Sequence, residues 1–467
     1  MRELDKAKIG LEIHLSATKG IKTKLFCSCA LPEKESNPNS HTCPTCLGFP
    51  GSKPVVNKKV IELAIKLGLA LNCTIQKENF FSRKTYFYPD MAKNYQITQY
   101  ESPLCVNGHV RYKNKVIRIK RIHIEEDPAS IQYPKTISDS EYCLIDYNRS
   151  GVPLCEIVTE PDLTSAEEAR EFLEYLASII DYLDIYDSKN FTIRVDANVS
   201  LPGTKRTEIK NITGFRAVEK AIGFEIIRQK GKLRRNEEFK QETMHYDSSL
   251  NKVIPMREKE FEEDYGYIFD PDLPKLVIDE KLIKKIKEDI PELPGAKINR
   301  LIKQYMINED TANILVSEKE ICDLFEEGTK KSDKDLVIRL ITITLKKVLN
   351  YNNLKLKETK LTTENFIDLL KMIEKNELTV RMSDLLLRKL IFSKKNTKEL
   401  VKELGFTKIS NFDKILDKIL EKNKTAIEDY KKGNSKALHF LIGQVLKEAK
   451  DKADAKLIEK TILEKIK

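Results

Sequence analysis

The sequence predicts an α+β protein, with an antiparallel sheet in the first part of the chain and helices alone in the rest. Residues 192–211 and 8–16 alternate between apolar and polar side chains with a period of two, which is typical of half-buried strands. From about Pro294 the chain is rich in Lys and shows helical spacing without strand-like alternation.

The stretch 192–211 predicts a β-hairpin with a turn at residues 201–204. Its polar face carries Arg194, Asp196, Asn198, Glu208 and Lys210. Thr207, Ile209 and Asn211 fall on the opposite face. In a paired hairpin Asp196 and Asn198 lie across from, or diagonal to, Glu208 and Lys210. Such a face is either simply hydrated or a platform for metal and phosphate, and the alternation alone leaves both interpretations open.

Residues 8–16 predict a further strand, with Glu12 and His14 on its polar face. Residues 115–127 predict another, in which the apolar parity changes near Lys120 and Arg121. This change indicates a β-bulge, after which His123 and Glu125 lie on the polar face. Glu156 and Glu160 are expected to flank a short strand.

Four cysteines form a CxC and a CxxC pair: Cys27, Cys29, Cys43 and Cys46. Two thiolate pairs on tight turns can close a tetrahedral zinc site in a loop too polar to build a core. All four ligands are Cys, so no position is left for water and the site should be structural. The alternative is four free thiols in a loop.

Residues 81–101 are dense in Tyr and Phe interleaved with basic residues. This composition suits stacking on a nucleotide or a terminal adenosine, but a strand pair with an aromatic core is the preferred interpretation. Helices are predicted over residues 57–71, after a capping box at Ser165 and Glu168, and over residues 217–229.

The predicted domains are residues 1–293, 294–405 and 406–467, with a break near Gly405 and a later turn at residues 432–434. Residues 294–467 carry 37 Lys and Arg against 27 Asp and Glu, which accounts for the whole net charge of +10. A nucleic-acid-facing module explains this asymmetry, and so does a Lys-rich proteome or a thermophile surface. The chain has no apolar run long enough to cross a membrane and no secretory signal, so a cytoplasmic protein is expected.

Carboxylates on several polar strand faces repel one another unless a cation binds between them. If these carboxylates lie close together in the fold, they imply a Mg²⁺ site. Mg²⁺ held by carboxylates, with Lys and Arg beside it, is typical of phosphoryl-transfer sites. The sequence has no GxxxxGK[ST] loop and no GxGxxG motif, so a P-loop or Rossmann enzyme is excluded.

Ten ordered motifs resemble the GatB family, whose members belong to the tRNA-dependent aspartyl/glutamyl amidotransferases. They are GLEIH, KLFCSC, CPTCLGFPG, KTYFYPD, NYQITQY, RIHIEEDPA, DYNRSGVPL, VDANVS, RTEIKN and PDLP. The C-terminal end resembles the family's YqeY-like tail. The sister protein GatE shares the first motifs but carries an inserted domain for which this chain has no room.

The resemblance implies a first domain similar to the glutamine synthetase fold and a glutamine-hydrolysing glutaminyl/asparaginyl-tRNA synthase, a carbon–nitrogen ligase. ATP would phosphorylate the side-chain carboxylate of Glu-tRNA(Gln) or Asp-tRNA(Asn), and ammonia would then replace phosphate. The implied partners are the amidase GatA, the small protein GatC and the misacylated tRNA. The basic helical part and the tail would bind the tRNA. A catalytically silent tRNA-binding scaffold is the alternative.

The resemblance also implies roles for individual residues. The catalytic residues would be Glu12, His14, Glu125, Asp196, Glu208 and Lys210, with Lys210 at the transferred phosphoryl group. ATP would be bound by Glu12, Glu125, Asp196, Glu208, Arg194 and Asn198. Mg²⁺ would be held by Glu12, His14, Glu125 and Glu208, and Zn²⁺ by Cys27, Cys29, Cys43 and Cys46. Met244 and Gly266 stand where the family commonly has Arg, so the resemblance does not extend to an anion contact made by those two arginines. Asp451 stands where the family is expected to have Gly.

Overall fold

The computed structural model describes most of the chain. The described residues are 6–135, 140–247, 252–255, 266–406, 413–431, 434–448 and 455–466. The chain divides into two compact units, Met1–Gly295 and Ala296–Lys467. The first combines strands and helices, whereas the described part of the second is helical. The mixed α+β class and the helical C-terminal part are therefore confirmed.

The described strands all lie in the first unit. They are β1 (Lys8–Leu15), β2 (Thr74–Ile75), β3 (Glu78–Asn79), β4 (Ser82–Thr85), β5 (Tyr95–Thr98), β6 (Cys105–Tyr112), β7 (Lys115–Glu126), β8 (Ser130–Gln132), β9 (Leu144–Asp146), β10 (Pro153–Thr159), β11 (Arg194–Ser200), β12 (Thr207–Thr213), β13 (Glu242–Asp247), β14 (Lys252–Pro255), β15 (Gly266–Phe269) and β16 (Leu276–Val277).

These strands form a nine-stranded sheet with the order β14-β13-β12-β11-β1-β10-β7-β6-β2, and three small sheets that contain β15-β4-β5, β16-β3 and β8-β9. Among the described pairs of the large sheet, only β12 and β13 run parallel, and the others are antiparallel. Strand β1 lies at the centre, paired with both β10 and β11. Its neighbours therefore come from distant parts of the chain.

One face of the large sheet is apolar. In β1 the alternate residues Ile9, Leu11, Ile13 and Leu15 are buried, as the sequence predicts. They join one core cluster with apolar residues of four helices. These helices are α1 (Lys58–Ala70), α2 (Ala166–Leu183), α3 (Phe215–Arg234) and α4 (Glu280–Glu288). The side chains of the other parity are left for the polar face.

The predicted helices are confirmed, with α3 longer than expected. The Asn57 side chain caps α1 by accepting a hydrogen bond from the Lys59 N–H. The Ser165 hydroxyl caps α2 by accepting from the Glu168 N–H at 3.1 Å. A side-chain oxygen at this position satisfies a backbone donor that the first helical turn leaves free.

The predicted bulge in β7 is confirmed. Against β10, Val158 lies opposite Arg121 and Thr159 opposite Ile119, so Lys120 is the extra residue. A one-residue insertion reverses the side-chain parity beyond it. The strand expected between Glu156 and Glu160 is β10, and that prediction was wrong in one respect, because Glu156 lies inside the strand opposite His123.

A second irregularity lies in the hairpin β11–β12, which otherwise pairs as predicted, with Asn198 opposite Glu208. The register shifts between Val195 and Ala197. Asn211 adopts a left-handed conformation with φ 60°, and its N–H donates to Asp196 Oδ1 at 2.6 Å. The prediction that Asn211 shares the apolar face was wrong: the shift turns this residue outward, where it is exposed.

We expect Asn211→Ala to destabilise the protein by about 1 kcal/mol, because a Cβ-bearing residue without a local polar partner disfavours φ near +60°. Asn211→Gly should be neutral within about 0.5 kcal/mol, because Gly adopts this conformation freely. Urea-unfolding midpoints of the two variants provide the measurement. Equal midpoints would contradict the strained-bulge account.

The described part of the second unit is built of short helices. Counting α5, which starts at the boundary, they are α5 (Pro294–Tyr305), α6 (Glu309–Val316), α7 (Lys319–Thr329), α8 (Lys334–Arg339), α9 (Lys346–Asn352), α10 (Thr363–Glu374), α11 (Val380–Leu390), α12 (Thr397–Glu403), α13 (Asp413–Lys422), α14 (Lys424–Lys431), α15 (Ser435–Glu448) and α16 (Ala455–Ile466). A π-helical segment, Leu340–Leu345, joins α8 to α9, and a 3₁₀ turn spans Leu356–Glu358. Apolar residues of α13, α15 and α16 form a small core of their own.

Several sequence predictions fall outside the described residues. They are the part of the predicted break that follows Gly405 and Phe406, most of the turn at residues 432–434, and Asp451. In the part of the chain that is described, no helix combines the length and the apolar character that a membrane span requires.

Candidate active site

The polar face of the large sheet brings together side chains from five adjacent strands, β12, β11, β1, β10 and β7. Strand register shows how they align, because residues directly opposite one another project from the same face. His14 lies opposite Glu156, which lies opposite His123. Two residues earlier in β1, on the same face, Glu12 lies opposite Asp196.

Two groups of potential ligands form on this face. Glu12, Asp196 and Glu208 make the first, called here the carboxylate triad. His14, Glu125 and Glu156 make the second, called here the histidine triad. Within each group one ligand atom per residue lies within 4.8 Å of the others. The four residues predicted to hold Mg²⁺ therefore do not share one cluster, since Glu12 and Glu208 belong to one triad and His14 and Glu125 to the other.

Negative charge accumulates in the carboxylate triad. Burial raises the pKa of Glu12 to about 7, and the nearby carboxylates of Glu156, Glu208 and Asp196 contribute to this rise more than the lowering effect of His14 can offset. A carboxyl group that resists ionisation among other carboxylates indicates that the neighbouring cations do not fully compensate the negative charge of the site. A divalent cation bound there would relieve the repulsion.

The histidine triad is held together by charge-assisted contacts. His14 Nε2 lies 3.4 Å from Glu156 Oε2, and His123 Nε2 lies 3.6 Å from the same oxygen. Burial opposes the charge of His14, but the hydrogen bond and charge of Glu156 outweigh it and raise the pKa of His14 to about 9. Burial alone would raise the pKa of Glu156, whereas His123, His14 and Arg121 together lower it well below its usual range.

Cations and an amide border the triads. Lys210 Nζ lies 3.3 Å from Glu208 Oε1; burial would lower the pKa of Lys210, but Glu208, Asp196 and Glu12 raise it, which keeps the ammonium charged. Arg194 Nη2 donates to Asp127 Oδ1 at 2.7 Å, so the carboxylate of Asp127 partly neutralises its charge.

The donor set of the carboxylate triad fits Mg²⁺, which prefers carboxylate and carbonyl oxygens. Asn198 strengthens the fit: its Nδ2 donates to Glu12 Oε1 at 2.9 Å, while its Oδ1 is buried without a hydrogen-bond partner among the described residues. A buried carbonyl oxygen left unpaired beside three carboxylates is a natural additional ligand for a cation or for its bound water.

The predicted site left out Glu156, His123 and Asp127, although His123 was expected on a polar strand face. Strand β10 is buried along its whole length, so the residues around Glu156 show no polar alternation. The available signal was a single Glu inside an apolar run, because a charged residue in a fully buried strand needs partners.

The four predicted zinc ligands also come together. One sulfur atom from each of Cys27, Cys29, Cys43 and Cys46 lies within 4.8 Å of the others. A hydrogen bond with Cys27 is the main cause that lowers the pKa of Cys46 to about 4, and the charge of Lys24 adds to it. The hydrogen bond with Cys46 raises the pKa of Cys27 far above its usual range.

Lys24 provides a test of the metal interpretation. It is fully buried, and its Nζ contacts Cys46 Sγ at 3.7 Å and the Tyr147 carbonyl at 3.3 Å. A buried ammonium needs a compensating negative charge, and a thiolate at Cys46 supplies it. Four neutral thiols would leave that charge uncompensated, so the surroundings favour a thiolate at Cys46, which is the form that a zinc ligand takes.

The aromatic stretch agrees only in part with the preferred interpretation. β4 and β5 do form a strand pair, and Phe81 is buried. Two aromatic side chains of the connecting loop lie outside the core, however: Phe87 is 82% exposed and Tyr88 50% exposed. Met244, by contrast, packs in the core, so the position where the family commonly has Arg serves packing in this chain.

Two family models match this chain, one within each of its two compact units. A family model described as the GatB/GatE catalytic domain matches residues 7–284, and one described as the GatB domain matches residues 323–466. Proteins named as the B subunit of an aspartyl/glutamyl-tRNA(Asn/Gln) amidotransferase are similar over almost their whole length. The relative from Saccharolobus solfataricus is 41% identical over 98% of this chain and 99% of its own, that from Methanococcoides burtonii 40% over 97% and 96%, and that from Thermotoga petrophila 39% over 97% and 97%.

Proposed function

The chain belongs to the GatB family, whose members are B subunits of the aspartyl/glutamyl-tRNA(Asn/Gln) amidotransferase, and we propose that its polar sheet face carries out the ATP-dependent step. There a side-chain carboxylate of Glu-tRNA(Gln) or Asp-tRNA(Asn) would be phosphorylated and then converted to the amide. The observation that carries the proposal is the pair of ligand triads bordered by Lys210 and Arg194 on one face of the sheet.

The two-step reaction follows from the chemistry of carboxylates. Ammonia cannot displace oxide, so a carboxylate oxygen first attacks the terminal phosphorus of ATP, and the bond from that phosphorus to the bridging oxygen breaks as ADP leaves. Ammonia then attacks the acyl carbon, the bond to the phosphate oxygen breaks, and a base takes one proton. The products are the amide, ADP and phosphate.

The residues of the polar sheet face would have different roles in these two steps. Glu12, Asp196 and Glu208, with His14, Glu125 and Glu156, would hold Mg²⁺, which when bound neutralises phosphate charge. Lys210, held charged beside Glu208, would contact the transferred phosphoryl group. Arg194 and Asn198 would contact the nucleotide. We assign Cys27, Cys29, Cys43 and Cys46 to a structural zinc that fixes the loop between β1 and α1.

We also propose a sheet unit related to glutamine synthetase, with residues 294–405 and 406–467 as separate helical domains that bind tRNA mainly through its phosphates and shape. The net charge of +10 in residues 294–467 supports this role. GatA, which would release ammonia from glutamine, and GatC are the proposed protein partners, and the cytoplasm is the proposed location.

The test supplies ammonia directly. The chain, purified with its amidase partner, is given ATP, Mg²⁺, ammonium and either Glu-tRNA(Gln) or Asp-tRNA(Asn), and amide, ADP and phosphate are measured. We expect equal amounts of amide and ADP with at least one of the two tRNAs. Binding of tRNA without ADP or amide from either substrate would overturn the proposal and leave a silent scaffold.

A further inference from the structure

Arg121 lies on the polar face only because of the bulge in β7. Before Lys120, the buried residues of the strand are Ile117 and Ile119, so Arg121 would share their parity in a regular strand. The extra residue reverses this relation and places Arg121 opposite Val158. Val158 in turn lies opposite Glu12, so Arg121, Val158, Glu12 and Asp196 form one row across the sheet.

The guanidinium is oriented by aromatic rings. Its central carbon lies 5.2 Å from the centroid of the Tyr100 ring, and Tyr100 is stacked on Tyr267 with centroids 4.4 Å apart. Cation–π contact of this kind fixes the plane of an arginine without using its N–H donors. The stack therefore leaves the donors of Arg121 available.

Those donors are under-used. The nearest carboxylate oxygen, Glu156 Oε1, lies 4.0 Å from Nη2, which is too far for a hydrogen bond. Nε is buried without a hydrogen-bond partner in the described part of the chain, although the side chain as a whole keeps 17% exposure. A buried N–H without a partner is costly and calls for a ligand that pairs with it.

We propose that Arg121 binds the phosphoryl group that passes from ATP to the substrate carboxylate; this inference rests on the proposed function. An arginine fork fits two oxygens of a phosphoryl or a carboxylate group. The neighbouring triads favour a phosphoryl group as the ligand of Arg121. Carboxylates bind divalent cations, and those cations in turn bind phosphate oxygens. During transfer the phosphorus exchanges its bond to the ADP oxygen for a bond to the carboxylate oxygen, and Arg121 would hold the non-bridging oxygens.

The experiment compares Arg121→Gln and Arg121→Lys with Arg111→Gln, an exposed arginine on the adjacent strand β6, in the full chain with its partner proteins. Dissociation constants are measured with Mg²⁺ for β,γ-methylene-ATP and for ADP, together with the rate of ADP formation. We expect Arg121→Gln to weaken binding of the ATP analogue by about 10- to 100-fold and to leave ADP binding unchanged. Arg121→Lys should recover part of the loss, and Arg111→Gln should match the wild type.

Equal loss of ATP-analogue and ADP affinity would overturn the proposal, because Arg121 would then support the sheet face as a whole. Unchanged affinity for both nucleotides with a raised KM for misacylated tRNA would overturn it in favour of a carboxylate contact. If Arg121→Gln does not fold, Arg121→Lys carries the same comparison, since it keeps the charge and loses the fork. A wild-type complex that forms no ADP refutes the proposed function itself, whereas full activity of Arg121→Gln refutes only this inference.

Discussion

Replacing Glu208 with Gln is expected to slow ATP-dependent amide formation by at least about 100-fold, because the carboxylate triad loses one of its three carboxyl groups. The same change leaves Lys210 without its nearest carboxylate, Glu208 Oε1 at 3.3 Å, so its ammonium is no longer fixed in place. Amide formed with external ammonia is the measurement, since it bypasses glutamine hydrolysis.

Two comparisons make the Glu208 result specific. Glu238→Gln removes the same charge from an exposed position of the first unit and should retain full activity. Asp196→Asn removes another member of the triad and should produce a similar loss, with tRNA binding unchanged in each variant. If Glu208→Gln keeps more than about a tenth of the wild-type rate, the triad does not serve phosphoryl transfer in the proposed way.

Replacing Cys46 with Ser is expected to abolish stoichiometric zinc and to lower the free energy of unfolding by several kcal/mol. The loop between β1 and α1 is rich in polar residues, and structural zinc supplies folding free energy that such a loop cannot obtain from a core. Zinc content, the thermal midpoint and proteolysis within residues 27–46 are the measurements. Chelation of the wild type should have the same effects as the substitution.

Cys143→Ser is the matched control, because Cys143 is partly exposed and lies outside the four-cysteine cluster. It should keep both the metal and the thermal midpoint. Lys24→Met should retain the fold and bind zinc about 10- to 100-fold more weakly, since Lys24 compensates the thiolate charge. Wild-type protein that contains no zinc and tolerates chelators would contradict the metal interpretation.

Much of the sheet was predictable because its strands show their orientation locally. Ile9, Leu11 and Ile13 alternate with Glu12 and His14, and the parity change at Lys120 marks the bulge without any knowledge of the partner strand. Strand β10 carries no such signal, because it is buried on both faces and its continuous apolar run hides the position of Glu156. Asn211 was misplaced because its turn outward depends on the register shift against β11.

Short spacings and ordered local motifs were sufficient for the α+β class, the hairpin β11–β12, the four-cysteine cluster and the family. The assembly of the site required the folded chain: ligand residues from adjacent strands form two triads, Glu156 and His123 join the polar face, and Arg121 faces the same site. Pairing β1 with β10 and β11 joins segments more than a hundred residues apart. No local periodicity encodes such a register, because it is fixed by packing of the whole apolar face.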